Sequence, residues 1–290
     1  MTGEVGEVPR ASISMRDRLR RLRLYYKSLG LMKRAFRNLT KVLAFPFLGS
    51  GRFVSRVDGA LIKVPPDLWT MLPTAARCVL MGALPEWRQD GFHVKSGTVD
   101  IVSPADSKEA ALFFREIFVE DVYGLGRYDL NDRQVIDIGA FVGDTAVAFA
   151  LRGAYVHAFE PVREFREYIA ANARINGVSE RITVHAVGLS DRERSLSVRS
   201  PSAQVLTLVE TRTYCLQAGI KDPYLMKMDC EGCEYELFSS EAFWTVLRPQ
   251  HILMEFHYGG DRLAEILHRK GYAVEPYDGP QGYLFAHRTT

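Results

Sequence analysis

The sequence predicts an α/β protein built on a mainly parallel sheet, on three observations. From residue 132 onward, short runs rich in Val, Ile, Leu and Phe alternate with longer stretches of helical periodicity. Those stretches are long enough to be the crossovers that parallel strands require. Glycines and carboxylates gather just after several strands, at the carboxyl edge where such sheets bind ligands.

Residues 15–43 carry Met15, Leu19, Leu22, Tyr26, Leu29, Met32, Phe36, Leu39 and Leu43 at steps of three and four. That spacing predicts one amphipathic helix with arginines on its other faces. Ser14 with Asp17 three residues later resembles a capping box. Gly30 weakens the middle of the helix by roughly 1 kcal/mol relative to alanine. Residues 1–49 therefore read as a basic helical extension. Such a helix can pack on its own protein or a second copy, or lie on an anionic membrane surface. Binding nucleic acid is the least favoured of its uses.

Residues 50–131 read as a cover over whatever follows, shaping a substrate region. "VDGALIKVP" and "GTVDIVSP" predict short strands ended by prolines, and "SKEAALFFREIFVEDVY" an apolar-faced helix.

Residues 132–290 hold the alternating pattern. "QVIDIG" predicts a buried strand and "GDTAVAFALRG" the helix after it. "YVHAFEP" is a second strand, followed by a helix through "REFREYIAANARING". "RITVHAVGL" is a third strand, with "RSLSVRS" as a short strand beside it. "PYLMKMD" is a strand leading into a helix from Glu231 to about Phe243. "QHILMEFH" leads into the helix "RLAEILHRKG", and "YAVEPYD" and "GYLFAHR", joined by "GPQG", predict a terminal hairpin.

The totals limit the function classes. At 47% hydrophobic and 25% charged, the composition supports a substantial core. The formal charge of +2 hides a polarity: residues 1–41 carry eleven Lys or Arg against three acidic residues. That segment is +8 and the remainder −6, so basic character belongs to one segment. Four cysteines are too few for a disulfide scaffold, the first residues lack an apolar signal core, and no stretch approaches the ~18 apolar residues of a membrane span. A cytoplasmic protein, or one peripheral to a membrane, is the expectation.

"VIDIGAFVGDTA" places Asp137 two residues before Gly139, with Gly143 where the helix starts. Glycines there permit a tight turn and a close ligand approach, and helix-start N–H groups bind anions. The G-x-x-x-G spacing is neither a dinucleotide fingerprint nor a P-loop. Glu160 ends the second strand, where a carboxylate can accept hydrogen bonds from both ribose hydroxyls. Together these features point to an adenosine-bearing ligand, either a nicotinamide cofactor or S-adenosylmethionine.

"VIDIGAFVGDTAVAFA", "AFEPVREFREYIAANARING", "VHAVGLSD" and "LMKMDCEGCEYELF" follow in order at spacings that resemble the FkbM family of S-adenosylmethionine-dependent O-methyltransferases. The resemblance covers about residues 116–257 and is most specific in the D-x-E-G-x-E element. It implies the Rossmann-like class I methyltransferase fold: seven strands in the order 3-2-1-4-5-7-6, strand 7 antiparallel, here with an N-terminal α+β cover. It also implies that Asp137, Gly139 and Gly143 line the methionine end of the cofactor, Glu160 its ribose and Val187 its adenine, with Asp144 and Thr145 close by. The product would be S-adenosylhomocysteine. Tyr123, in "FVEDVYG", is placed to cover the cofactor.

"KMDCEGCEYELF" crowds carboxylates and two cysteines onto one strand–helix junction. Cys230 and Cys233 stand where the family is expected to carry small or aliphatic residues. They match half a zinc site with no second pair to complete it. Flanking carboxylates work against a reactive thiol, so filling space is the better reading of both. Acidic residues are favoured at helix starts anyway, which accounts for Glu231 or Glu234 but not for Asp229 as well. Asp229 and Glu231, with His257 at the end of the next strand, are the candidates to deprotonate or position a hydroxyl. A divalent ion holding a diol is a secondary option that is not expected.

The leading expectation is methyl transfer to a hydroxyl of a glycan, lipid-linked or secondary-metabolite acceptor. RNA methylation through the basic segment is one alternative, against which no Asn-Pro-Pro-aromatic element follows the fourth strand. A non-catalytic nucleotide-binding scaffold of the same fold is the other. A homo-oligomer is also open.

Overall fold

The computed structural model describes residues 15–48, 51–199, 203–230, 232–277 and 282–289. Seven strands make the main sheet: β1 (Gln134–Ile138), β2 (Tyr155–Phe159), β3 (Ile182–His185), β4 (Leu225–Met228), β5 (His251–Phe256), β6 (Tyr272–Val274) and β7 (Gly282–Arg288). Their order is 6-7-5-4-1-2-3. Only β7 runs antiparallel to its neighbours. This is the predicted class I order read from the opposite edge. The order switches between β1 and β4, the place where an open α/β sheet leaves a crevice.

Alternation along the strands separates two apolar layers. Val135, Leu225 and Leu253 face one way, into a cluster with Phe92, Phe114, Val147 and Phe149. Ile136, Met226 and Ile252 face the other way, with Leu237, Phe238, Leu263 and Leu267. Four helices follow the strands: α1 (Asp144–Leu151), α2 (Arg163–Ile175), α3 (Cys233–Ser239) and α4 (Gly260–Arg269). α1 is buried from Asp144 to Ala150, which explains why "AVAFA" is apolar all round: the sheet lies on one side and the cover on the other.

The cover is a three-stranded antiparallel sheet, Leu84–Arg88, Gly91–Ser96 and Val99–Ser103, followed by a helical stretch from Ala110 to Val119. Two asparagines tie it to α2. Asn172 Oδ1 accepts from Val102 N at 2.7 Å while its Nδ2 donates to the carbonyls of Val102 and Val142. Asn176 treats the backbone of Asp100 the same way.

Several elements differ from expectation. The single helix over 15–43 is three helices: Met15–Lys27, Leu29–Ala35 and Leu39–Leu48. The second break arises because residues 36–38 pair with the chain at 52–55. Arg37 N donates to Val54 O, and Asn38 bonds the backbone of Arg52 and Val54. Met32 and Phe36 are consequently buried while Met15 and Leu19 are exposed, so the nine apolar positions do not share one face. The proposed cap Ser14 lies outside the described residues.

"RITVHAVGL" also divides. β3 stops at His185, and Gly188–Ser190 joins a separate three-stranded sheet with Gln204–Glu210 and Arg194–Val198. "RSLSVRS" therefore pairs with Gln204–Glu210, a strand not anticipated, and not with residues 188–190 directly. The helix expected to run to about Phe243 breaks at Ser240, whose Oγ caps a short second helix at Phe243 N. The terminal hairpin of β6 and β7 forms, although most of its "GPQG" link lies outside the described residues. Among the described residues, no helix is long and apolar enough to cross a membrane.

Candidate active site

The carboxyl ends of β1, β2 and β4 meet at a cavity of about 920 Å3, roofed by the helical stretch of the cover. Backbone bonds hold the three ends together. Gly139 N and Ala140 N donate to Phe159 O, and Asp229 N donates to Ile138 O at 3.0 Å. Gly139 takes φ +76°, and a Cβ there would overlap the carbonyl oxygen of Asp229. The glycine is thus required by the approach of β4 as well as by its own turn. Gly143, at φ +84°, faces Ile169 of α2 and does not line the cavity. Its role is close helix packing.

Glu160 lies 5% exposed at the end of β2. Its Oε2 accepts from Phe141 N at 3.0 Å and its Oε1 from Val162 N at 2.8 Å, so it clamps the glycine turn to its own strand. Each oxygen keeps a further lone pair for a hydroxyl donor in the cavity it lines. Burial pushes this carboxyl up to about 7, against those two N–H groups. Asp144 and Thr145 line the cavity beside it, with Asp144 raised to about 6 by burial. Val187 stands outside the lining; its neighbours Gly188 and Leu189 provide that wall.

Asp137 has no exposed surface and lies beneath the cavity floor. Thr145 Oγ1 donates to its Oδ2 at 2.6 Å. Above it stands Lys227, a residue that the sequence did not single out. Lys227 Nζ donates to Gly139 O at 2.9 Å and lies 3.2 Å from Asp137 Oδ1 and 3.8 Å from Asp229 Oδ2. Burial pulls the Lys227 ammonium down, but Asp137, Asp229 and Asp144 outweigh it and leave it raised. Asp137 Oδ1 makes no well-directed hydrogen bond, so its tie to Lys227 is a contact between charges. One buried cation thus joins the ends of β1 and β4.

Asp229 opens into the cavity opposite Glu160, and His257 lines the same cavity beyond the end of β5. Glu116 from the cover, Glu255 from β5, Tyr123 and Tyr283 share this part of the wall. Burial, then the nearby Asp229, pushes Glu255 up to about 6; Glu116 is raised by burial. Tyr123 is 3% exposed, stacks edge-on with Tyr283, and its hydroxyl has no hydrogen-bond partner among the described residues. Burial and the carboxylates of Asp229 and Glu255 raise it well above the usual tyrosine range. The remaining wall is apolar, with Phe141 packed between Phe113 and Phe165.

The crowded junction now divides into separate roles. Glu234 Oε1 accepts from Cys230 N at 3.1 Å, closing the turn into α3 as a cap. Glu236 accepts from Ser190 Oγ, Asp191 N and Arg194, which despite its burial hold its carboxyl at about 2 and fix the small sheet to α3. Glu231 lies outside the described residues. Cys230 and Cys233 are joined by a disulfide at the cavity wall, which corrects their reading as space-fillers. The spacing of three allowed that bond, and Gly232 at φ +112° supplies the tight turn. Cys78 and Cys215 are buried free thiols.

The sequence profile of the methyltransferase FkbM domain matches residues 137–274. Among curated protein sequences, none matches the chain significantly. The methyltransferase FkbM of Methylobacillus flagellatus KT is 15% identical, aligns over 94% of this chain and 60% of its own, and gives a TM-score of 0.42. The O-methyltransferase TomG of Streptomyces achromogenes, solved with SAM, is 15% identical over 63% of this chain and 88% of its own, at a TM-score of 0.42. Magnesium protoporphyrin IX methyltransferase from Synechocystis PCC 6803, also with bound SAM, is 12% identical over 63% and 83%, at a TM-score of 0.42.

Proposed function

We propose, from the match of the methyltransferase FkbM domain profile to residues 137–274, that this chain is an S-adenosylmethionine-dependent O-methyltransferase. Its acceptor is a hydroxyl of a glycan, lipid-linked or secondary-metabolite molecule. The observation that carries the reading is that Glu160 and Asp229 face one cavity from opposite sides of the β1–β4 switch. At about 920 Å3 the cavity stands near the top of the ~300–1,000 Å3 range of ligand sites, room for a nucleoside and a second molecule together.

The residues present suit that cofactor. Glu160 has lone pairs left for two ribose hydroxyls, and the carboxylates of Asp144 and Glu255 give the space negative charge suited to a sulfonium. Lys227 and the N–H groups that open α1 supply the complementary positive charge for a carboxylate. When bound, the cofactor supplies an electrophilic methyl group on sulfur.

The chain's own residues do the rest. Asp229 accepts the proton of the acceptor hydroxyl, its charge held in place by Lys227 at 3.8 Å. Glu116, Glu255, Tyr123 and Tyr283 orient the acceptor's other polar groups, and Phe113, Phe141 and Phe165 hold its apolar side and keep water out. Raised Glu255 is matched to donate as well as accept near neutral pH.

Calorimetric titration with S-adenosylmethionine and with NAD tests the cofactor. Binding of NAD alone would overturn the proposal. Incubating cell extract with methyl-labelled cofactor and identifying the labelled product by mass spectrometry then names the acceptor class. Label recovered only in RNA would replace the hydroxyl acceptor with a nucleic acid.

A further inference from the structure

Two N-terminal helices hold apolar side chains that the fold leaves uncovered. Met15 and Leu19 on helix Met15–Lys27 are 75% and 60% exposed, and Leu43 and Phe47 on helix Leu39–Leu48 are 39% and 65% exposed. Each pair is four residues apart and so shares a face. Tyr26 joins the two faces. It falls on the Met15–Leu19 side of the first helix, and its hydroxyl donates to Leu43 O at 3.2 Å. The inner side of the same helices is already satisfied: Tyr25 is 2% exposed and donates to Val42 O at 2.6 Å, and Val42 and Phe45 are buried. The exposed stripe therefore belongs to an anchored pair of helices.

Charge accompanies the stripe. Residues 15–48 contain ten Lys or Arg and a single acidic residue, Asp17. Arg20, Arg21, Arg23, Lys27, Lys33, Arg34, Arg37 and Lys41 are all exposed, and none forms an ion pair among the described residues. The partner must offer negative charge beside an apolar interior. A nucleic acid meets the charge and leaves the stripe in water. A second copy presents the same positive charge to itself across a two-fold interface. An anionic lipid surface meets both requirements.

We propose that residues 15–48 dock this protein on an anionic lipid bilayer. Met15, Leu19, Leu43 and Phe47 enter the boundary between headgroups and acyl chains, and the basic side chains bind lipid phosphates. The inference does not depend on the methyltransferase reading, because neither helix contributes to the cavity.

The test is co-sedimentation of the full chain with phosphatidylcholine vesicles, with and without about 30% phosphatidylglycerol, across a salt series. Binding only to the anionic vesicles, weakening as salt rises, is expected. The double substitution Leu43→Ser with Phe47→Ser should weaken it about tenfold or more. Arg20→Glu with Arg21→Glu should weaken it by at least about fivefold per residue. Both sets of positions are exposed, so the thermal midpoint and cofactor affinity should stay unchanged. Equal binding to neutral vesicles, or none to either, overturns the proposal. So does RNA binding that survives the serine substitutions while vesicles are ignored, or a dimer in sedimentation that those substitutions abolish.

Discussion

Lys227 Nζ lies 3.2 Å from Asp137 Oδ1, and the two side chains are 3% and 0% exposed. A charge pair this deeply buried contributes little net stability, but losing one partner is severe, because the other is left charged without compensation. Lys227→Met should therefore cost about 3–5 kcal/mol in chemical denaturation. Adding Asp137→Asn should recover much of that loss. An additive double variant would show that the pair does not act as a unit.

Glu160 links pH to both stability and binding. Burial raises it from 4.5 to about 7, so the folded chain holds this proton more tightly than the unfolded one. Its contribution to stability is full below pH 4.5, declines as pH rises toward about 7, and is then flat. Asp144 and Glu255, each raised to about 6 by burial, act in the same direction. Ribose hydroxyls favour the ionised carboxylate, so cofactor affinity should rise about tenfold between pH 6 and pH 8. Calorimetry across that range measures it, and Glu160→Gln should bind weakly at every pH. A flat wild-type profile would remove Glu160 as the ribose acceptor.

The parts of this site that could be read in advance were those set by strand ends. Glu160 and Asp229 each close an apolar run, Asp137 lies one residue before the end of its strand, and the carboxyl edge of a parallel sheet gathers such residues whatever the loops do. Lys227 was illegible because a lysine inside "LMKM" gains meaning only from Asp137, ninety positions earlier. Glu116 was missed because its place depends on how the cover docks, which Asn172 of α2 and Asn176 just past its end decide. The bend after His185 was hidden in the continuous apolar run "VHAVGL", where periodicity cannot show a strand leaving one sheet for another. Near the N-terminus the helical spacing was real, but pairing of residues 36–38 with a distant strand overrode it.

Gly139 and Gly143 answer to different neighbours and should respond differently to alanine. At Gly139 the added Cβ meets the carbonyl of Asp229, backbone that cannot move without shifting β4. Gly139→Ala should lose both folding stability, by more than about 3 kcal/mol, and cofactor binding. At Gly143 the nearest atoms are 3.1–3.2 Å away on Ile169, so the cost is the left-handed backbone plus a small helix shift, about 1–3 kcal/mol. Denaturation curves of the two variants check the ranking.

The Cys230–Cys233 disulfide closes a short turn on the cavity wall. A loop this small restricts the unfolded chain little, so Cys230→Ser with Cys233→Ser should cost about 2 kcal/mol or less. Thiol titration of the unfolded chain should count two free cysteines before reduction and four after. Four before reduction would show the pair to be open.

Asp229 and Lys227 separate chemistry from binding. Asp229→Asn keeps the shape of the junction and the bond from Asp229 N to Ile138 O, but removes the base facing the acceptor. Turnover at saturating cofactor should fall about 100-fold or more, with cofactor affinity within about threefold of wild type. Glu255→Gln should instead raise the acceptor KM, because it alters a group that orients the substrate and leaves the base intact. Label-transfer rates measured against both substrates distinguish the two patterns. If Asp229→Asn turned over at the wild-type rate while His257→Gln lost activity, the proton would leave through the histidine at the end of β5.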